Sequence, residues 1–569
     1  MWLITNINDL SLPGKSLIKC IGFSVYHDCE SRQDNASNGF SRLTGYLLAT
    51  NDSPQNIKIL IREGKFIDLP KTGPDYRSYL KGNFSLVTAG NDWFCVDGDR
   101  FGIQKWFYWV KEDKFIVSDS LSAIRTILNP DPSVEAMALY ALTYHFTAGT
   151  TILNGVLHNT PAQYISFTQS KLSIGKYWDP MDLLKEQARD ITIGDIVDNL
   201  SAHVLELLEL YKGNVSLSLT GGADTRNILS IMLRNGVKPH LYTYGDPRST
   251  DCMKAAAIAK GLKLDHTVHD IKMSPQVFSD YGRKIIKWGQ SLTSIHRAHR
   301  IIAVEREAEN CDLMFLGTLG GEFVKGVGED DYIIPSIVYD TWDHSLNSMS
   351  LQQKANNKGL VESSFDISTL LSLMNSEPYF QSTPTVRKMA SLCYITAHLH
   401  DAQDIILYQY PMKKVYTPFL DVDYLKLLFS SKHAFNSKEV IINPIKRRVA
   451  NPIYASQFIS ASYPELGRYR YCGEHKPNEV LFNPYTAALL KGLRQKLSKP
   501  DPANFPLGDW MKAFIEMEHA EIKDSPMLKS IFDMKGLSRC LKDDPYKPKE
   551  SYLLKYTNPI FMKYILDNL

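Results

Sequence analysis

The feature that most constrains this chain is a β-prone run, Val215-Ser216-Leu217-Ser218-Leu219, that delivers two adjacent glycines into the start of an apolar-periodic segment. The periodic segment runs from Asp224 to Arg234, with Ile228, Leu229, Ile231, Met232 and Leu233 on its apolar side. Gly236 and Pro239 follow it, the usual stop of a helix. His240 to Tyr244 then reads as a second strand, Asp251 to Lys260 as an Ala-rich helix, Leu264 to Ile271 as a third strand and Leu313 to Leu316 as a fourth. Strands alternating with helices at this spacing dictate a parallel sheet with right-handed crossovers.

The part before residue 175 is different. Short apolar runs such as Phe84-Ser85-Leu86-Val87, Trp106 to Val110 and Phe115-Ile116-Val117 are divided by Gly, Asn and Asp turns, a β-rich pattern. A helical face, Ile196, Val197, Leu200, Val204, Leu207 and Leu208, begins after Ile191, so the charged stretch Lys185 to Asp190 marks a boundary. With 569 residues the chain is too long for one core. The expected organisation is an α+β domain of layered β-sheets with helices over 1–185. A doubly wound α/β domain with a helical C-terminal region follows over 191–569.

Composition excludes several classes. A formal net charge of +2 provides no field for nucleic acid or an anionic membrane. No window approaches the roughly 18 consecutive apolar residues of a spanning helix, and Met1 to Asn6 lacks the pattern of a secretory signal. The eight cysteines form no CxxC or Cys/His cluster, so neither a disulfide framework nor a zinc site is indicated. A cytoplasmic location is expected.

The loop Thr220-Gly221-Gly222-Ala223-Asp224-Thr225 is built to hold an anion. Glycines let backbone N–H groups approach phosphate oxygens, and a helix N-terminus adds unpaired donors and a favourable dipole. Ser218, Thr220 and Thr225 add hydroxyls. Asp224 repels phosphate directly but suits a Mg²⁺ that bridges it to phosphates. A strand-ending Gly-Gly with an N-cap is the plain alternative. The loop is neither a Walker loop nor a GxGxxG fingerprint.

Ser218 to Arg226 resembles the pyrophosphatase loop of the asparagine synthetase family, with Thr in place of both Ser. Three further elements follow in that family's order. These are Ser249-Thr250-Asp251 with Ala255, Ala256, Ala259 and His266; Gly317-Thr318-Leu319-Gly320-Gly321-Glu322; and Thr417-Pro418-Phe419-Leu420-Asp421. Gly82-Asn83-Phe84, Asp99 to Ile103, Ser118-Asp119 and Lys176 to Asp179 resemble landmarks of a class II glutamine amidotransferase domain.

The resemblance implies an ATP pyrophosphatase-type domain that activates a carboxylate as an acyl-adenylate with ATP and Mg²⁺. Asp224 and Glu322 would be metal ligands, with Gly320 in the second loop, and Tyr244 and Gly245 would edge the adenine. Family glutaminases carry a nucleophilic Cys where this chain has Trp2. The chain is thus similar to the branch that uses an amine already on the substrate, the β-lactam synthetases, carbapenam synthetases and lasso peptide cyclases.

The partner expected on this basis is a small-molecule or peptide carboxylate, with a precursor peptide and its protease in the lasso case. Ammonia-dependent asparagine synthesis and a silent nucleotide-binding homologue are the alternatives. Leu319 stands where those enzymes carry a Tyr or Glu base, if Glu322 takes the loop aspartate's place. An ungapped match puts Ile441 at the family's transition-state lysine, so Lys446 or Lys438 substitutes only with a shift. Solvated charge at a helix start is the competing reading for both. His266 and His269 fall on opposite faces of one strand. The basic run His296, Arg297, His299 and Arg300 reads as a solvated helix face, with contact to a carboxylate or pyrophosphate as the other reading.

Overall fold

In this computed structural model the described residues are 1–325, 383–497, 507–534 and 559–567. Short stretches at 8–9, 11, 13, 29–31, 35–38, 144, 436–438, 443–444, 449, 472–474 and 533 are excluded from that description.

Two antiparallel sheets build the first part. Strands β1 (Trp2–Thr5), β2 (Ser16–Cys20) and β3 (Phe23–His27) are followed by β4 (Arg32–Asp34) and β5 (Gly39–Gly45). Next come β6 (Leu48–Ala49), β7 (Leu80–Lys81), β8 (Phe84–Ala89), β9 (Phe94–Gly98), β10 (Phe107–Lys111) and β11 (Lys114–Ser118). β12 (Leu157–His158), β13 (Gln163–Thr168) and β14 (Lys171–Lys176) complete the set. One sheet runs β12-β10-β11-β1-β3-β2 and the other β14-β13-β9-β8-β5-β4, while β6 and β7 form a separate ribbon.

Strand alternation decides the layering, because successive side chains leave opposite faces of a sheet. Trp2, Ile4, Val25, Phe115 and Val117 of the first sheet pack on Val87, Ala89, Phe94 and Val96 of the second. Leu3 and Ile116 point the other way, onto Leu121, Ile124, Met137 and Leu139 of the helices Leu121–Leu128 and Val134–Thr143. On the far side Phe84 and Leu86 meet Ile57 and Ile61 of the helix Gln55–Glu63. Both sheets are therefore covered on both faces, a helix–sheet–sheet–helix stack.

The second part centres on a five-stranded parallel sheet. Its strands are β15 (Val215–Ser218), β16 (His240–Tyr244), β17 (His266–His269), β18 (Leu313–Phe315) and β19 (Lys414–Tyr416), in the order β17-β16-β15-β18-β19. The order reverses direction at β15, leaving a crevice between β15 and β18 beyond their carboxyl ends, where open α/β sheets bind ligands. The helix after β15 runs Asp224–Arg234 and closes at Gly236 (φ 74°), where Val237 N–H reaches Met232 O at 2.8 Å. The Gly-then-Pro stop read from sequence is thus realised.

Two corrections concern the region past residue 340, read as mostly helical. β19 is a fifth parallel strand of three residues, too short for any period to register, and only its pairing with β18 defines it. A hairpin of β20 (Glu439–Ile442) and β21 (Ile445–Arg448) also lies there. Lys446 is on β21 opposite Ile441, not at a helix start. The β-branched run Val440-Ile441-Ile442 accounts for the strand. The side chain of Lys446 and the whole of Lys438 lie outside the described residues.

The two parts share a polar seam. Asn83 Nδ2 donates to Thr417 Oγ1 at 2.5 Å, and Lys81 Nζ, 3% exposed, lies 3.2 Å from Asp421 and 2.9 Å from Asp423. Lys105 Nζ donates to His398 O at 2.8 Å. Landmarks of the first part thereby touch the Thr417–Asp421 element of the second.

Candidate active site

At the carboxyl ends of β15, β16 and β18 lies a cavity of about 320 Å³. The first loop contributes Thr220, Gly222, Asp224 and Thr225, and the second contributes Gly317, Thr318, Leu319 and Glu322. Ser218 and Tyr244, at the strand ends, also line it, whereas Gly221, Gly245 and Gly320 of the anticipated set are not among its lining residues. Loops separated by nearly a hundred positions meet because β15 and β18 are neighbours in register, Ser216 beside Met314 and Leu217 beside Phe315.

Glycine is required where the loops touch. A Cβ on Gly317 would sit 2.8 Å from the backbone nitrogen of Thr225. On Gly320 it would sit 2.8 Å from Asp224 Cβ and 2.7 Å from Phe419 Cε2. Gly320 therefore acts by allowing contact, packed between the metal-ligand candidate and the Pro418-Phe419-Leu420-Asp421 element. That element is a brace: Asp421 caps the helix Val422–Phe429 through Tyr424 N–H at 2.9 Å, and Lys81 pairs with its carboxylate. Leu319 is buried with φ 61°, a conformation uncommon for a side-chain-bearing residue and frequent at functional loops. Its side chain carries no acid or base.

The first loop's glycine amides already have acceptors within the chain. Gly221 N–H donates to Asp251 Oδ1 at 3.0 Å and Gly222 N–H to Thr220 Oγ1 at 3.1 Å. An incoming phosphate would displace these partners. Gly245 (φ 128°) donates its N–H to His269 O at 2.9 Å and so ties the end of β16 to β17.

The remaining wall lies outside the glycine-loop motifs, and the sequence singles out only its Arg300, in the basic run, as a candidate contact to a carboxylate or pyrophosphate. It consists of Arg300, Thr396, Asp401, Asp404 and Tyr408, with Tyr242 and Leu316 from the strands. Thr396 and Asp401 lie on an eleven-residue π-helix, Ser391–Asp401, in which Thr396 Oγ1 reaches back to Ser391 O at 3.3 Å. Such stretches are rare and gather at functional sites. The available signal was two acids three apart, Asp401 and Asp404, just before the apolar run Ile405-Ile406-Leu407.

Charge at this wall is tightly arranged. Asp404 lies 2.6 Å from Arg297 Nη1 and 2.5 Å from Arg300 Nη1. Burial would raise its carboxyl, but the two guanidinium groups hold it down at about 2. Burial, aided by nearby Glu322 and Asp404, pushes Asp401 up to about 8. The run His296 to Arg300 is not a solvated face. Arg297 and His299 are buried, Arg297 donating to Gln403 Oε1 at 3.0 Å and to His400 O at 2.9 Å. Neutralisation comes from Asp404, more than a hundred positions along the chain, which local charge counting does not see.

His266 Nε2 meets Thr243 Oγ1 at 2.9 Å and His269 Nε2 meets Glu307 Oε1 at 2.5 Å, so each ring has its own partner. Among the described residues no group of three or more His, Cys, Asp or Glu side chains forms a ready metal cage. Asp224 and Glu322 on one cavity still fit Mg²⁺, which commonly takes one or two protein carboxylates and completes its octahedron with phosphate and water.

Trp2 fills space in the first part. It is 1% exposed and lies between the two sheets, and its backbone N–H donates to Asp119 Oδ1 at 2.8 Å. No helix among the described residues is long and apolar enough to cross a membrane.

No family model and no curated protein matches the chain. Solved structures align with part of it, among them two enzymes. One is glutamine phosphoribosylpyrophosphate (PRPP) amidotransferase from B. subtilis complexed with ADP and GMP, at 11% identity and TM-score 0.17, over 43% of this chain and 51% of that one. The other is an allosteric regulatory enzyme of purine biosynthesis, at 11% identity and TM-score 0.18, over 44% and 66%. The chain thus spans about half the length of the first and just under two thirds of the second. Likeness of that degree carries no argument about its chemistry.

Proposed function

We propose that this chain is an ATP-dependent, AMP-forming carbon–nitrogen ligase that adenylates a substrate carboxylate for attack by a substrate amine. The observation carrying this reading is the convergence of the Thr220–Thr225 loop and the Gly317–Glu322 loop on one cavity at the sheet's reversal point. Phosphates would lie on the first loop and the helix start at Asp224, exchanging places with Asp251 and Thr220 as acceptors of the glycine amides. Mg²⁺ held by Asp224 and Glu322 would neutralise charge developing on pyrophosphate. A carboxylate oxygen attacks the α-phosphorus, the bond to the bridging oxygen of pyrophosphate breaks, and an acyl-adenylate forms. The amine nitrogen then bonds to the acyl carbon, AMP departs, and the nitrogen gives up one proton.

Lasso-type macrolactam formation on a precursor peptide, released by a protease partner, and amide or lactam formation on a small natural-product precursor are the two candidate reactions. Burial of Trp2 supports a first domain without glutaminase chemistry. The test is product identity. With ATP, Mg²⁺ and candidate substrates the protein should release AMP and pyrophosphate, and Asp224→Ala should abolish the release. Formation of ADP and phosphate instead would overturn the proposal.

A second reading, nucleotide binding without turnover, has one observation in its favour: the apolar Leu319 at the position of the family's usual base. Ammonia-dependent asparagine synthesis has no comparable support. Tight Mg·ATP binding with no pyrophosphate release under any substrate would favour the silent homologue.

A further inference from the structure

Arg300 is the one cation among the described residues lining the cavity. Its guanidinium touches Asp404 through Nη1, while its Nε is buried with no hydrogen-bond partner. Arg297, fully buried, shares the same carboxylate and is further held by Gln403 and His400. Two guanidinium groups on one carboxylate leave one uncompensated positive charge, and Arg300, with a side chain 32% exposed, is the member that opens to the cavity. The other ionisable groups among the described lining residues, tyrosines apart, are the carboxyls of Asp224, Glu322, Asp401 and Asp404. A carboxylate substrate entering beside a triphosphate meets repulsion from Asp224 and Glu322. Only Arg300 offers the planar fork that receives an oxyanion through two N–H groups.

Building on the ligase reading, the geometry assigns Arg300 as the oxyanion anchor at the junction where carboxylate and α-phosphate join. Asp404 is its positioning residue. The oxyanion has two possible sources, the substrate's carboxyl group and the nucleotide's α-phosphate. Asp404 and Arg297 fix the guanidinium in advance, so little side-chain freedom is lost on binding. Tyr408 and Tyr244 line the same cavity, and Arg300 acts electrostatically on both hydroxyls.

Calorimetric titration of the full chain, wild type, Arg300→Gln and Arg300→Lys, tests this with three probes: adenosine, AMP and 5′-O-(N-acetylsulfamoyl)adenosine, a stable mimic of an acyl-adenylate. Arg300→Gln should bind adenosine as wild type does, which also reports an intact fold. It should bind the acyl-adenylate mimic roughly 10- to 100-fold more weakly, the scale of a lost hydrogen bond to a charged group. Arg300→Lys should recover part of that loss. A matching loss for AMP identifies the α-phosphate as the source, and unchanged AMP binding identifies the acyl oxygens. Wild-type affinity of Arg300→Gln for both AMP and the mimic would overturn the assignment and leave the ligase reading standing. A wild-type protein that binds none of the probes, nor Mg·ATP, would overturn both.

Discussion

Replacing Gly320 by alanine puts one methyl group against two elements, the segment of Phe419 and the helix start at Asp224. Its carbon would lie 2.7 Å from Phe419 Cε2, 3.0 Å from Phe419 Cδ2 and 2.8 Å from Asp224 Cβ. Carbon atoms pack best at about 3.5–4.0 Å, so roughly 1 Å must be found somewhere. Phe419 is fully buried, and its segment is fastened on one side by Asn83 to Thr417 and on the other by Lys81 to Asp421. The softer response is to displace the first residue of the helix Asp224–Arg234, and with it the carboxylate proposed to hold Mg²⁺.

Overpacking of this kind costs about 1–3 kcal/mol. If the bound state carries that cost, affinity for Mg·AMP-PNP falls by roughly 5- to 150-fold. Calorimetry with and without Mg²⁺ separates the effects. The Mg²⁺-dependent part of the affinity should be lost in Gly320→Ala, while binding without the metal changes little. Adding Phe419→Leu, which removes the ring edge, should restore part of it. Mg²⁺-dependent affinity equal to wild type in Gly320→Ala would refute the claim that this glycine seats Asp224.

Two further outcomes follow from burial and charge. Trp2→Ala empties a large site in the core between the two sheets and should cost about 3–5 kcal/mol in urea denaturation; a loss below about 1 kcal/mol would contradict its role as a core residue. Asp404 has its carboxyl lowered to about 2, against 3.8 ordinarily, by Arg297 and Arg300 acting against burial. Its folded state therefore binds the proton less readily than the unfolded chain, so its stabilising contribution is complete above about pH 4 and fades as pH falls toward 2. Asp404→Asn cannot titrate, so the stability gap between wild type and variant should be constant above pH 4 and narrow below it. A gap independent of pH from 5 to 2 would show that the pair does not hold the carboxyl down.

Much of this molecule was written locally. The run Val215 to Leu219, the glycine pair, the helix to Arg234 and its stop at Gly236 are short-range consequences of β propensity, backbone freedom and helix capping, so they could be read in order along the chain. The same holds for the strand His240–Tyr244, whose limits agree with the pattern. The three-residue strand Lys414–Tyr416 could not be read, because its identity comes from hydrogen bonds to β18, about a hundred positions earlier.

Site residues divided in the same way. Asp224 and Glu322 stood out because glycine loops carry them, and a motif is a local object. Arg300 and Asp404 did not, because an arginine is indistinguishable from a surface charge until its counterion is known, and that counterion arrives from a distant helix. The sequence alone marked the Thr220–Thr225 loop as the candidate phosphate cradle and showed that Trp2 has no nucleophilic side chain. Only the tertiary structure decided that Trp2 fills a core and that Gly320 is glycine because Asp224 and Phe419 meet across it. It alone placed one positive charge in the cavity, since packing and ion pairing depend on distance in space and not along the chain.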